Sequence, residues 1–68
     1  MDMHHVDSTN IAKAGYEDGV MVLEFRSGGT YTYVGVSEDM FQSMLSSPSP
    51  GSFFSRHILP RHRGKKLG

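Results

Sequence analysis

MVLEFRSGGTYTYVGV, residues Met21 to Val36, reads as a β-hairpin on which the rest of the chain must pack. Met21, Leu23 and Phe25 alternate with Val22, Glu24 and Arg26, the period-two signature of a strand with one buried face. Ser27-Gly28-Gly29 interrupts the run. Thr30-Tyr31-Thr32-Tyr33-Val34 then resumes it with the β-branched and aromatic residues that suit a pleated surface. Loop length decides which way the tyrosines point, because a one-residue slip exchanges the two faces of a strand. A two-residue loop at Gly28-Gly29 sets Phe25 across from Thr32 and leaves both tyrosines beside Glu24 and Arg26, as an exposed stacking platform. A three-residue loop, Ser27-Gly28-Gly29, sets Tyr31 opposite Phe25 and Tyr33 opposite Leu23. The longer loop is preferred, with Gly29 at the positive-φ position that such bulged loops use. Met21, Leu23, Phe25, Tyr31 and Tyr33 then share one face, a core for a small chain.

Upstream, Val6 to Tyr16 is expected to form a first strand, kinked at the turn formers Ser8, Thr9 and Asn10. Glu17-Asp18-Gly19 turns the chain into the hairpin, which gives a three-stranded meander. Residues 1 to 4 are expected to be disordered. Downstream, Ser37 has the position of a helix N-cap, and Glu38 and Asp39 place negative charge at the positive end of the helix dipole. Met40, Phe41, Met44 and Leu45 fall on one helical face, the lid for the sheet. Pro48 ends this helix, and Ser49-Pro50 starts another. Ser52 to Leu59 forms a short second helix with one of Phe53 and Phe54 in the core and the other partly exposed near Arg56. Pro60 stops it, and residues 60 to 68 read as a flexible basic tail. The predicted fold is therefore α+β: a three-stranded antiparallel meander packed on one face by one α-helix plus a short second helix, within residues 5 to 59.

At 68 residues the chain makes one domain with a small core, so a homodimer is an expectation. The absence of cysteine fits a reducing, cytoplasmic setting and offers no thiolate metal site. No apolar run approaches about 18 residues and the first residues lack a secretory pattern, so no membrane partner is expected. His4, His5, His57 and His62 show no i, i+4 pair on a helix, and a zinc site wants three or four convergent ligands, so neither metal nor cofactor is expected. There is no Walker loop and no G-x-S-x-G elbow, and the chain reads as a non-enzyme. The formal net charge is zero but segregated: all seven acids lie in residues 1 to 39 with only Lys13 and Arg26, whereas Arg56, Arg61, Arg63, Lys65 and Lys66 follow with no acid among them.

Ser8 and Ile11, Gly15-Tyr16, Leu23 and Phe25, Gly29 with the Y-x-Y of Tyr31 and Tyr33, then Val36, Phe41 and Leu45, form an ordered pattern. It closes with the S-x-G-x-F-F segment of Ser49, Gly51, Phe53 and Phe54, and Ile58. Over residues 5 to 59 this resembles the KTSC domain, a small module named for the C-terminus of some lysyl-tRNA synthetases and also found free-standing. Ser37 stands where the family often has proline, Phe41 where tyrosine is common and Ser55 where asparagine is usual. The family's arginine and distal tyrosine after Ile58 are replaced by Leu59-Pro60 and basic residues. The resemblance implies a fold, and its synthetase context suggests nucleic-acid binding by analogy.

The function expected is non-catalytic binding of RNA or single-stranded nucleic acid, with aromatic rings stacking on bases and cations following phosphates. Tyr31, Tyr33 and Phe54 are the stacking candidates; Arg26, Arg56, Arg61, Arg63, Lys65 and Lys66 are the phosphate candidates. A net charge of zero weighs against a dedicated nucleic-acid binder. The alternatives are a small protein-interaction modulator of the phage or mobile-element kind, gripping a protein partner by the hairpin edge or the Phe53-Phe54 helix, and a dimer that captures a nucleotide-derived signal.

Overall fold

In the computed structural model, which describes residues 1–67, the hairpin forms the middle of a five-stranded antiparallel sheet. Strand order follows chain order: β1 (Met3–His5), β2 (Ile11–Glu17), β3 (Val20–Phe25), β4 (Thr30–Val34) and β5 (Gly64–Lys66). Between β4 and β5 come helix α1 (Glu38–Ser46) and helix α2 (Pro50–Phe53), which runs directly into a π-helical turn over Phe54–Ile58.

The expected three-stranded meander is present as β2 to β4, but the sheet has two further strands at its edges. The first expected strand is split: Ser8 Oγ accepts from the amides of Asn10 and Ile11, which turns the chain back instead of kinking it. Met3 and His4, expected to be disordered together with Met1 and Asp2, pair with β2 alongside His5, with His4 opposite Ala14. The basic segment, expected as a flexible tail over residues 60 to 68, is not free in its described part either. Lys66 pairs with Tyr31, Lys65 with Thr32 and Gly64 with Tyr33, and the Leu67 amide donates to the Thr30 carbonyl at 2.7 Å. Gly68 lies outside the described residues.

The hairpin closes through a three-residue loop, Arg26-Ser27-Gly28, one residue earlier than the expected loop. The Gly28 amide donates to Phe25 O, the Phe25 amide donates to Gly29 O, and Gly28 takes a φ of 104°. This is a turn with a glycine bulge, for which a side chain at Gly28 would be strained. Tyr31 therefore faces Leu23 and Tyr33 faces Met21, two residues away from the expected pairing. A shift of two preserves the face, and both tyrosines do lie on the core side with Met21, Leu23 and Phe25. The opposite side of β3 and β4 carries Val20, Val22, Thr30, Thr32 and Val34, with no aromatic residue.

A bulge between Ile11 and Lys13 explains the irregular pattern of β2. Ala12 is the extra residue, so Ile11 and Ala14 both reach the core although they are three apart. On α1, Ser37 Oγ accepts from the Met40 amide at 3.1 Å, the expected N-cap. The helices deliver Phe41, Met44, Phe54 and Ile58 onto Ile11, Ala14, Met21, Leu23 and Tyr33. Each fully buried aliphatic side chain in that set contributes about 1.5–3 kcal/mol of transfer free energy. No helix of the described residues is long and apolar enough to cross a membrane.

Candidate nucleic-acid interface

The core face of the hairpin continues past the core into an aromatic cluster. Tyr33 meets Phe54 edge to face at 5.0 Å between centroids, Phe54 meets Phe25 at 6.1 Å, and Phe25 meets Tyr31 edge to face at 5.6 Å. Such offset pairs are the favoured aromatic arrangement. Two of these rings are closed off, with Tyr33 only 3% and Phe54 only 5% exposed. Phe25 and Tyr31 are half-buried, and Leu59, which follows the π-helical turn, is 48% exposed. Phe25, Tyr31, Tyr33, Phe54 and Leu59, with Gly28 at the rim, enclose an open groove of about 360 Å³. Burial first, and the neighbouring Tyr31 phenol second, hold the Tyr33 hydroxyl above the usual phenol range, so it stays a neutral donor at pH 7.

Pairing of β5 with β4 brings one cation to the Tyr31 side of the sheet. Directly paired residues of adjacent strands share a face. Lys66 thus sits on the side of Tyr31, and Lys65 on the opposite side with Thr32. Arg61 and Arg63 are exposed in the segment that leads into β5. Among the described residues one ion pair forms, between the Met1 amino group and Glu17 at 3.5 Å. The basic residues from Arg56 to Lys66 therefore have no carboxylate partner among the described residues.

The expected site residues divide into three groups. Tyr31 lines the groove and Lys66 is its cross-strand neighbour, with Arg61 and Arg63 nearby in the chain. Tyr33 and Phe54 are in the core, so neither offers a ring face for a base to stack on; they form the floor. Arg26 is committed to the fold: Nε donates to Ser8 O at 2.7 Å and a terminal nitrogen donates to Val6 O at 3.2 Å, which ties the β3–β4 loop to the β1–β2 loop. Arg56 lies away from the groove, beside Phe53 and His57. Reading the sequence missed Phe25 and Leu59 as walls. The available signal was Leu59, an apolar residue placed after Ile58 and before Pro60 where the inward face of the helix does not need it.

Most residues of the ordered family pattern do structural work. Ser8 makes the β1–β2 turn, and a Cβ on Gly51 would sit 3.1 Å from its Oγ. Tyr16 stacks on Phe41 at 5.3 Å and donates to Val36 O at 2.6 Å. Leu23, Tyr33, Val36, Phe41, Phe54 and Ile58 are core. Phe25 and Tyr31 are the half-buried members of the pattern that line the groove.

Known proteins resemble this chain over most of its length. The sequence profile of the KTSC domain matches residues 7–62. A protein of Tsukamurella paurometabola is 34% identical over 67 residues, covering 96% of this chain and all of that protein. A protein of Stutzerimonas stutzeri is 30% identical over 59 residues, covering 84% of this chain and 83% of the other. The crystal structure of a KTSC domain protein from Yersinia pestis superposes with a TM-score of 0.91 at 35% identity, covering 98% of this chain and 97% of that one.

Proposed function

The chain belongs to the KTSC domain family, and on that footing we propose that it is a non-catalytic module that binds single-stranded nucleic acid. One base enters the groove between Tyr31, Phe25 and Leu59, and the phosphates run along the basic segment of Arg61, Arg63 and Lys66. The observation that carries this reading is the pairing of β5 with β4, which puts Lys66 beside Tyr31 and leaves it without a carboxylate partner among the described residues. Base–aromatic stacking is worth about 1–3 kcal/mol per base, and each neutralised phosphate adds a salt-dependent increment.

The test is fluorescence anisotropy of a labelled single-stranded RNA with the full chain and with Tyr31→Ala, at two salt concentrations. Loss of the salt-tolerant part of binding in Tyr31→Ala is expected. Equal binding by both proteins, abolished by salt, would reduce the contact to polyelectrolyte attraction and refute the groove. A second reading, capture of a free nucleotide, draws on the size of the groove, which suits a single base, and on the zero net charge. It predicts that a mononucleotide alone raises the melting temperature, by mass action on the native state.

A further inference from the structure

A second hollow lies at the junction of the two helices and shares no residue with the groove. It encloses about 280 Å³ and is lined by Ser47, Ser49, Ser52, Phe53, Arg56 and His57, with Pro48 at its edge. The donor set is one-sided. A guanidinium, an imidazole and three hydroxyls face the space, and no carboxylate occurs anywhere in residues 40–68. Arg56 has neither an ion pair nor a side-chain hydrogen bond among the described residues.

The scaffold around these groups is ordered by its own contacts. Ser47 Oγ accepts from the Ser49 amide at 3.1 Å, and Ser49 Oγ donates to Ser52 Oγ at 3.0 Å, which leaves the Ser52 hydroxyl hydrogen free. Phe53 packs on the His57 ring with centroids 4.7 Å apart. The π-helical turn over Phe54–Ile58 keeps Phe54 and Ile58 in the core while Arg56 and His57 stay on the outer side. Such turns are rare and concentrate at functional sites. We infer that this hollow is a site for a dianionic phosphate group, with Arg56 as the charged fork and Ser52 and His57 as supplementary donors. The phosphate is either the free inorganic ion or the terminal monoester of a nucleic-acid strand.

The experiment is 1H–15N and imidazole NMR of the full chain, titrated with inorganic phosphate and, at matched ionic strength, with chloride. Saturable shifts at residues 47 to 53 and in the His57 ring are expected with phosphate alone, about tenfold weaker in Arg56→Gln and partly restored in Arg56→Lys. Unsaturated shifts, equal shifts with chloride, or unchanged binding in Arg56→Gln would overturn the site. A 5′-phosphorylated dinucleotide and its 5′-hydroxyl twin separate the sources. Tighter binding of the phosphorylated form at the same residues assigns the strand terminus; no gain over inorganic phosphate assigns the free ion. Shifts from the dinucleotide confined to Tyr31 and Leu59 would support the groove and exclude the strand terminus from this hollow, and the same pattern with inorganic phosphate also silent at residues 47 to 53 would refute it.

Discussion

The sheet ends in two edge strands of the same length that differ in what they bring. β1 (Met3–His5) carries the chain start onto β2 among Asp2, His4 and Glu17, and its terminal amine makes the ion pair with Glu17. β5 (Gly64–Lys66) brings cations onto β4, beside the aromatic groove, with no acid of its own. Both strands lie outside residues 7–62, the span of the family profile. Both dock over a glycine contact: Gly15 lies under Met3, and Gly64 lies against the Tyr33 ring. The difference teaches that an edge strand closes the sheet in either case, but the β1 edge borders a hollow with acids in its lining, whereas β5 sets a cation, unpaired among the described residues, across from the aromatic residue Tyr31.

The sharpest way to break the comparison is to fill those two close contacts. A Cβ at Gly64 would fall 2.7–3.0 Å from two ring carbons and the hydroxyl oxygen of Tyr33, whose ring is fixed in the core. Gly64→Val is expected to cost about 1–3 kcal/mol by overpacking, with a fall in Tm of about 4–8 °C per kcal/mol for a chain of this size. The same variant should lose the salt-tolerant RNA binding, because Lys66 leaves the side of Tyr31. Gly15→Ala meets Met3 Sδ at 2.6 Å and the Asp2 carbonyl at 2.9 Å. The sulfur moves easily and the carbonyl less so, so a smaller cost of about 1 kcal/mol is expected, with RNA affinity unchanged. Thermal melts and anisotropy on both variants check this pair. Equal loss of binding in Gly15→Ala would erase the functional distinction between the edges.

Both edges were hidden in the sequence for a physical reason. Strands of three residues are too short to show a period of two, and MHH and GKK have none of the β-branched or aromatic residues that mark a strand. What places them is pairing with β2 and β4, a tertiary contact with no local signature. The middle of the sheet was legible because Met21, Leu23 and Phe25 alternate over a full strand and the paired tyrosines share their parity. The hairpin register missed by two residues because both Gly28 and Gly29 can take positive φ, and composition does not choose between them. The Ser37 cap and the breaks around Pro48 and Pro50 were legible because capping and proline chemistry are local. Of the site, Tyr31 and the basic residues were readable as types. The burial of Tyr33 followed from the preferred hairpin register, but which of Phe53 and Phe54 enters the core was not legible, since it depends on the helix crossing the sheet there.

A gentler test keeps β5 in place and removes only its charge. Lys66 is exposed and unpaired among the described residues, so Lys66→Ala is expected to change stability by less than about 0.5 kcal/mol. Its effect belongs in the salt dependence of RNA binding, where the slope of log K against log salt should fall by about 0.7. Lys65→Ala, on the opposite side of the same strand, should leave the groove-dependent binding intact. Equal effects from the two lysines would mean that the strand acts as undirected charge.

The smallest expected effect reads the contact between β5 and the core through a proton. Tyr33 is protonated and neutral in the fold, with its folded-state pKa above the unfolded value of about 10 through burial first and Tyr31 second. The unfolded state therefore releases this proton at lower pH than the native state. Above pH 10 the native state binds more protons, so stability declines with rising pH and the contribution is lost as pH passes through the folded-state value. Tyr33→Phe removes the titrating group while keeping the ring against Gly64 and Phe54. Melting curves between pH 8 and 11 should show a shallower alkaline decline in Tyr33→Phe than in the parent. Because the ring touches β5 and not β1, amide exchange at Lys65 and Leu67 should accelerate over that range before exchange at His4 does. Exchange that rises together at both edges would show that Tyr33 reports on the whole sheet and not on the basic edge.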